Sequence, residues 1–309
     1  MSDKITRRAF IKKSAGISVT AIVSNSLVPR IAFSNEAIDM AVVKGNNYFE
    51  NAKKAVELLG GMGKFVPQKS KVAILANPQS NNPGRYTNPE IIHAAIQMCK
   101  ESGAKRISCL GWIPMRNWEN CGIKKVIDEE GADLVITDLR DETLFKPVPI
   151  PKGVALKEAR IMKTFYDYEV LIDMNITKEH SGNNFSGAMK NLMGLNSPGS
   201  CRTFHRKKLM VMEDIEYLDQ CIADLNTIIH PDLCIIDATQ FIINNGPTGP
   251  GKLCKPQKVI AGKDRVAVDT YCATLFGYNP QNITVLNKAF AHGLGKMDLG
   301  SIKIKELEI

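Results

Sequence analysis

The feature that most constrains this chain is an alternation that starts at residue 38: short apolar runs separated by segments with 3.6-residue apolar spacing. A run such as 72–76 has no polar face, so a strand made of it has to be buried on both sides. Similar runs recur at 38–43, 106–111, 133–137, 170–174, 234–237 and 258–261, with a last one at 302–307. Between them the spacing predicts helices over 48–59, 89–103, 118–130, 185–192, 215–229, 265–276 and 285–291. Asn88 reads as the cap of the second helix, with Pro89 at the first helical position, where its missing N–H costs nothing. The expectation is a single α/β domain over 38–309, with a mostly parallel sheet and helices on both faces. Ligands of such sheets bind beyond the carboxyl ends of the strands. The strand exits to search are Asn77, Asp138, residues 175–180, Asp237 and residues 262–264.

Residues 1–34 read differently. Thr6-Arg7-Arg8-Ala9-Phe10-Ile11-Lys12 is a paired-arginine motif ahead of a weakly apolar stretch, 14–28. That order matches a twin-arginine export signal, with small-x-small cleavage at Ala32-Phe33-Ser34 and Ala37 as a second candidate. The apolar part is too short and too rich in Ser, Thr and Asn to cross a bilayer, which takes about 20 apolar residues. The expectation is passage through the twin-arginine translocon in folded form, a periplasmic or cell-envelope destination, and no stable membrane span. The formal charge of +8 comes largely from this segment. Its six basic residues and one acid leave 34 basic and 31 acidic residues behind, a net of +3. An ordinary surface of that kind gives no case for nucleic acid.

The eight cysteines contain no C-x-x-C, so the ferredoxin-type iron–sulfur motif and the zinc ribbon are both absent. Cys109 and Cys234 fall in apolar runs and read as small buried hydrophobes. Cys201 and Cys254, in Gly/Pro/Lys-rich segments, are the pair to consider for a ligand or a bridge.

Residues 175–191 are the densest in chemistry, with Lys178, His180, Asn184, Lys190 and Asn191 at one strand exit. Lys178 and His180 are two apart, so an extended chain points them the same way. With the positive end of the following helix, they suit an anion such as a phosphate, a carboxylate or an enolate. The competing reading is a solvated loop with a helix cap. His205 becomes interesting if the fold returns it to His180, because two imidazoles and a carboxylate can hold a metal ion. Asp269 shares a helix face with Val266, Cys272 and Ala273. A carboxylate there needs a partner, for which Lys178 or Lys190 would serve, or it loses its charge. Asp264 reads as a helix cap. The segment from Gly246 to Lys252 fits the spacing of a phosphate-binding loop, but Pro247 and Pro250 remove two N–H donors and Leu253 replaces the magnesium-binding hydroxyl. It reads as a rim or lid beside Asp237.

Several segments resemble the domain-of-unknown-function 362 family: Ala76-Asn77-Pro78, Thr87-Asn88-Pro89-Glu90, residues 178–194, Phe204-His205, Gly246-Pro247-Thr248 and residues 264–269. The resemblance runs over about residues 38–305 in the family's order. It implies an α/β domain, often exported or joined to iron–sulfur modules, and no settled reaction. This chain lacks the cysteine-rich module, which leaves electron transfer only with a separate partner. It carries Ala76-Asn77-Pro78 where related chains often have Lys-Pro-Asn. The expected function is an enzyme or redox accessory that holds an anionic substrate or cofactor; the alternative is a non-catalytic anion- or metal-binding protein of the cell envelope. Catalytic roles fall to Lys178, His180, Asp269 and Asp237, and substrate contacts to Lys190, Asn191, Asn77, Gly246, Thr248 and Asp264. His180 and His205 are the candidate ligands of a metal ion; the cofactor itself stays unassigned.

Overall fold

The computed structural model describes residues 37–79, 82–205 and 212–309, so the expected export signal lies outside the described residues. In chain order the elements begin with β1 (Met40–Lys44), α1 (Tyr48–Leu58), β2 (Lys71–Ala76), α2 (Pro89–Glu101), β3 (Arg106–Gly111), α3 (Met115–Asn120), α4 (Ile123–Glu129) and β4 (Asp133–Ile136). The middle third holds β5 (Phe145–Pro149), β6 (Glu158–Met162), β7 (Val170–Met174), β8 (Lys178–His180), β9 (Asn184–Ser186), α5 (Ala188–Asn191), α6 (Pro198–His205) and α7 (Met212–Leu225). The rest is β10 (Leu233–Ala238), β11 (Phe241–Ile242), β12 (Leu253–Cys254), β13 (Lys258–Gly262), α8 (Arg265–Thr274), α9 (Thr284–Ala291) and β14 (Ile304–Glu308).

Eight strands form one sheet in the order β14-β1-β13-β10-β7-β2-β3-β4. All neighbours are parallel except β13, which runs antiparallel to β1 and β10. The α/β class and the mostly parallel sheet are as the alternation implied. Successive strand residues feed two cores. Val72, Ile74, Ile172 and Ile235 pack towards α1–α4, whereas Ala73, Leu75, Leu171 and Ile236 pack towards α5–α9. That two-sided burial is why these runs are continuously apolar.

Caps and breaks follow local chemistry. Asn88 Oδ1 accepts from Glu90 N at 2.9 Å, and Asp264 Oδ1 accepts from Val266 N at 2.9 Å. The helix expected over 118–130 is two helices, because Gly122 takes φ 81° between them. The helix expected from 185 starts only at Ala188, and residues 178–186 form the β8–β9 hairpin instead. The Gly- and Pro-containing segment around Cys201 is helical over Pro198–His205.

The strand order reverses between β2 and β7: β3 and β4 lie on one side of β2, while β7 and β10 lie on the other. A crevice at the carboxyl ends of the strands follows from such a switch. The reversed β13 carries a correction. Its last residue, Gly262, pairs with Met40 and Cys234 near the starts of β1 and β10. The exit at 262–264 therefore lies at the opposite edge of the sheet from Asn77 and residues 175–180.

Asp237, at the end of β10, braces this crevice from behind. Its Oδ2 accepts from Asn88 N at 2.8 Å, while Oδ1 accepts from Thr239 N and Oγ1 at 2.8 and 2.7 Å. Asp237→Ala strands two buried donors and one part-buried one and should cost about 3 kcal/mol of unfolding free energy, read by urea denaturation. An unchanged midpoint would show that the brace is not structural.

Candidate functional site

The β8–β9 hairpin brings the predicted pair to the crevice. Extended chain from Lys178 to His180 buries both side chains, at 1% and 8% exposure, while Glu179 between them turns to Gly246. Lys178 Nζ donates to Asn77 Oδ1 at 3.1 Å and to the Arg85 carbonyl at 2.9 Å. Both acceptors are neutral. Burial, together with the charges of Lys190 and Arg85, pulls the Lys178 amine down to about 7.

Lys190 and Asn191 sit on α5. Lys190 is half-buried, and its Nζ donates to Asn183 Oδ1 at 3.1 Å. Asn183 Nδ2 donates in turn to Asp219 Oδ1 at 3.0 Å. Burial lowers the Lys190 amine and raises the Asp219 carboxyl, and the attraction between them pushes each back. Asn191 joins the β2 and β7 exits, accepting from Asn77 Nδ2 at 3.1 Å and donating to Asp173 Oδ1 at 2.6 Å.

The two imidazoles share one arrangement. His180 Nδ1 lies 2.8 Å from the Ser181 carbonyl, and His205 Nδ1 lies 2.8 Å from the Cys201 carbonyl. A carbonyl can only accept, so each Nδ1 carries the proton and each Nε2 keeps a bare lone pair. Burial and the neighbouring Lys190 push His180 down to about 2, and burial lowers His205 as well. Both rings are therefore neutral bases at ordinary pH.

These groups line a single cleft of about 430 Å³. Asn77, Lys178, His180, Lys190, Asn191, His205 and Thr248 all lie on its wall, with Leu110, Trp112, Ile113, Trp118 and Met193 as the apolar side. Among the described residues, no Asp or Glu lines it. The loop after β11 is its rim. Pro247 and Thr248 face the cleft, and the Gly246 carbonyl accepts from Ser181 N at 3.1 Å. Gly246 itself does not line the cleft.

Four predicted positions lie elsewhere in role. Asp269 is 1% exposed, and it accepts from Ala188 N and Met189 N at 2.6 and 3.0 Å. Its partner is the backbone at the start of α5 and not a lysine; burial pushes it up to about 7 against those two bonds. It holds the site without lining it. Asp237 is the brace described above. Asp264 caps α8 at the far edge and takes Lys296 N at 2.8 Å. Asp138, at the β4 exit, is exposed beside Arg140. All eight cysteines are free; Cys201 lines the cleft and Cys254 does not. Burial pushes the Cys201 thiol up to about 12, so it is a protonated wall residue. Among the described residues, no group of three His, Cys, Asp or Glu is placed to hold a metal ion.

Sequence reasoning missed Asp173. It lies in the centre of the sheet at 0% exposure, its carboxyl raised well above the usual range by burial, with Oδ2 unpartnered. The signal was an acid inside the apolar strand 170–174.

Residues 71–274 match the family described as "Domain of unknown function (DUF362)". This chain belongs to the DUF362 family. All the cleft groups named above up to His205, and Thr248 on the rim, fall within the matched region of this DUF362 chain. No curated protein matches it. Among solved structures it is similar to the lactate racemase apoprotein from Thermoanaerobacterium thermosaccharolyticum, with a TM-score of 0.48 and 15% identity over 77% of this chain and 57% of that one. It is also similar to a structural-genomics protein from Thermotoga maritima, with a TM-score of 0.46 and 13% identity over 76% of this chain and 57% of that one. The DUF362 chain thus spans 57% of the length of each. Among the described residues, no helix is long and apolar enough to cross a membrane.

Lys178 offers a pH test. Its amine releases its proton near pH 7 in the folded protein and near about 10.4 when unfolded. Between those values the unfolded chain binds more protons, so its contribution to unfolding free energy rises with pH. Wild type should therefore gain on Lys178→Met by at most about 1.4 kcal/mol per pH unit over this range. Urea denaturation of both proteins at successive pH values checks it, and a flat difference contradicts it.

Proposed function

We propose that this chain is an exported enzyme that holds a small carboxylate-bearing substrate in the cleft and moves a proton on it. One observation carries the reading: two lysines and two neutral imidazoles line a cleft that no described Asp or Glu lines. Cations without an anion in a partly dry site gain most from a ligand that supplies one. Lys190, with Asp219 behind Asn183, is the ammonium suited to the carboxylate. His205, with Nε2 open, is suited to take and return a proton, while His180, held too far down to be protonated, presents Nε2 as a hydrogen-bond acceptor. Capture without chemistry would need the lysines alone, so the two oriented imidazoles favour the enzyme. Asn77, Asn191 and Thr248 add neutral polar contacts on the wall. Export rests on the paired arginines at Arg7 and Arg8 and on the short apolar stretch that follows.

Malonate is a suitable probe. At about a hundred times its dissociation constant it should add about 2.7 kcal/mol to the unfolding free energy, and Lys190→Met should remove most of that gain. The ligand favours the charged lysines, so affinity should fall as pH rises through about 7, where Lys178 gives up its proton. Calorimetric titration across that range reads the trend. Equal stabilisation of wild type and Lys190→Met, or affinity that rises with pH, would overturn the reading.

A further inference from the structure

We infer that Lys178 forms an imine with the carbonyl carbon of a small 2-oxo acid held in the cleft. The inference rests on the reading that the cleft binds a carboxylate, and it adds the class of substrate and the reacting atom.

The first support is the hydrogen-bond geometry of the nitrogen. A neutral amine has two N–H donors and one lone pair. Lys178 Nζ has two acceptors, Asn77 Oδ1 at 3.1 Å and the Arg85 carbonyl at 2.9 Å. Neither is a carboxylate, so neither demands an ammonium. The uncharged form fills both bonds and keeps its lone pair, and the residue lines the cleft.

The second support is the charge around it. Lys190 and Arg85 are the cations that act on Lys178, and both disfavour a third positive charge. Desolvation beside another cation is a known way to make a lysine nucleophilic near neutral pH. Burial lowers both amines, but Asp219 draws Lys190 back towards its charged form and no carboxylate does so for Lys178, so Lys190 is the one suited to bind the carboxylate.

The third support is the rest of the wall. Trp112, Ile113, Trp118 and Met193 make one side apolar, which favours loss of water from an adduct. His205 lines the same cleft with Nδ1 on the Cys201 carbonyl and Nε2 unprotonated. In the step, the Lys178 lone pair attacks the carbonyl carbon, and one proton of the resulting cationic nitrogen passes to the carbonyl oxygen to give the carbinolamine. The carbinolamine then loses a nitrogen proton and its hydroxyl as one water, leaving C=N. His205 Nε2, on the same cleft wall, is the group suited to relay that proton, because the His180 ring is held too far down to take it. No oxidant or reductant is needed.

A lysine that served only as a strut between β8 and residues 77 and 85 would not react. The test is to incubate the full chain with glyoxylate and sodium cyanoborohydride near neutral pH, then map the reduced adducts by peptide mass spectrometry. Lys178 should carry the dominant adduct, formed at least several-fold faster than at any exposed lysine and slowed by malonate. Lys178→Arg should lose that adduct and leave the surface background unchanged. Adducts spread evenly over exposed lysines, or confined to Lys190, would overturn the assignment. If malonate stabilises the protein but Lys178 stays unmodified, the imine falls and the anion site stands. If malonate does nothing and Lys178 stays unmodified, both fall.

Discussion

A helix of four residues cannot hold its own shape, so α5 goes where its neighbours put it. Asp269 takes the N–H groups of Ala188 and Met189. Asn175 Nδ2 donates to the Gly187 carbonyl at 2.6 Å, and Asn226 Nδ2 donates to the Met189 carbonyl at 3.0 Å. Asn191 closes the far end on Asp173 and on the Leu75 carbonyl. Gly187 is needed there because a side chain would run into the Asp269 carboxylate and the Phe185 ring. These bonds come from β2, from β7 and the residue after it, from the residue after α7, and from α8, and they fix Lys190 and Asn191 at the crevice where the strand order reverses.

Fixing a lysine there has an electrostatic consequence. Lys190 and Lys178 share a cleft, and the nearest described carboxylate to act on them, Asp219, stands behind an amide. The acids of this region point into the fold: Asp237 braces α2, Asp269 caps α5, and Asp173 bonds Asn191. Structural bonds thus consume the carboxylates, and the cations are left facing the space between β2, β3 and the β8–β9 hairpin. The neutral imidazoles follow from the same burial and the same positive surroundings.

Much of this was legible in the residues. The two-sided burial of the strands is written in their continuous apolar runs, and the pairing of Lys178 with His180 follows from the period of extended chain. What was hidden is equally physical. The reversal of β13 depends on β11 and β12, two-residue strands too short to leave a periodic signal, and it moved Asp264 to the far edge. A carboxylate on an apolar helix face does need a partner, but at Asp269 that partner is a pair of backbone N–H groups, which no side-chain pattern reveals. The α6 helix begins Pro198-Gly199-Ser200, a composition that reads as loop, yet it seats His205 on the same cleft wall as His180.

The central claim is that the cleft holds lysines whose charge the fold does not balance. The most direct measurement is an NMR titration of the lysine side chains in the free protein and with malonate. The account predicts that Lys178 releases its proton near pH 7 in the free protein, and that malonate moves the Lys178 and Lys190 titrations upward. Titration of Lys178 at the ordinary value of about 10.4, unmoved by malonate, would contradict it.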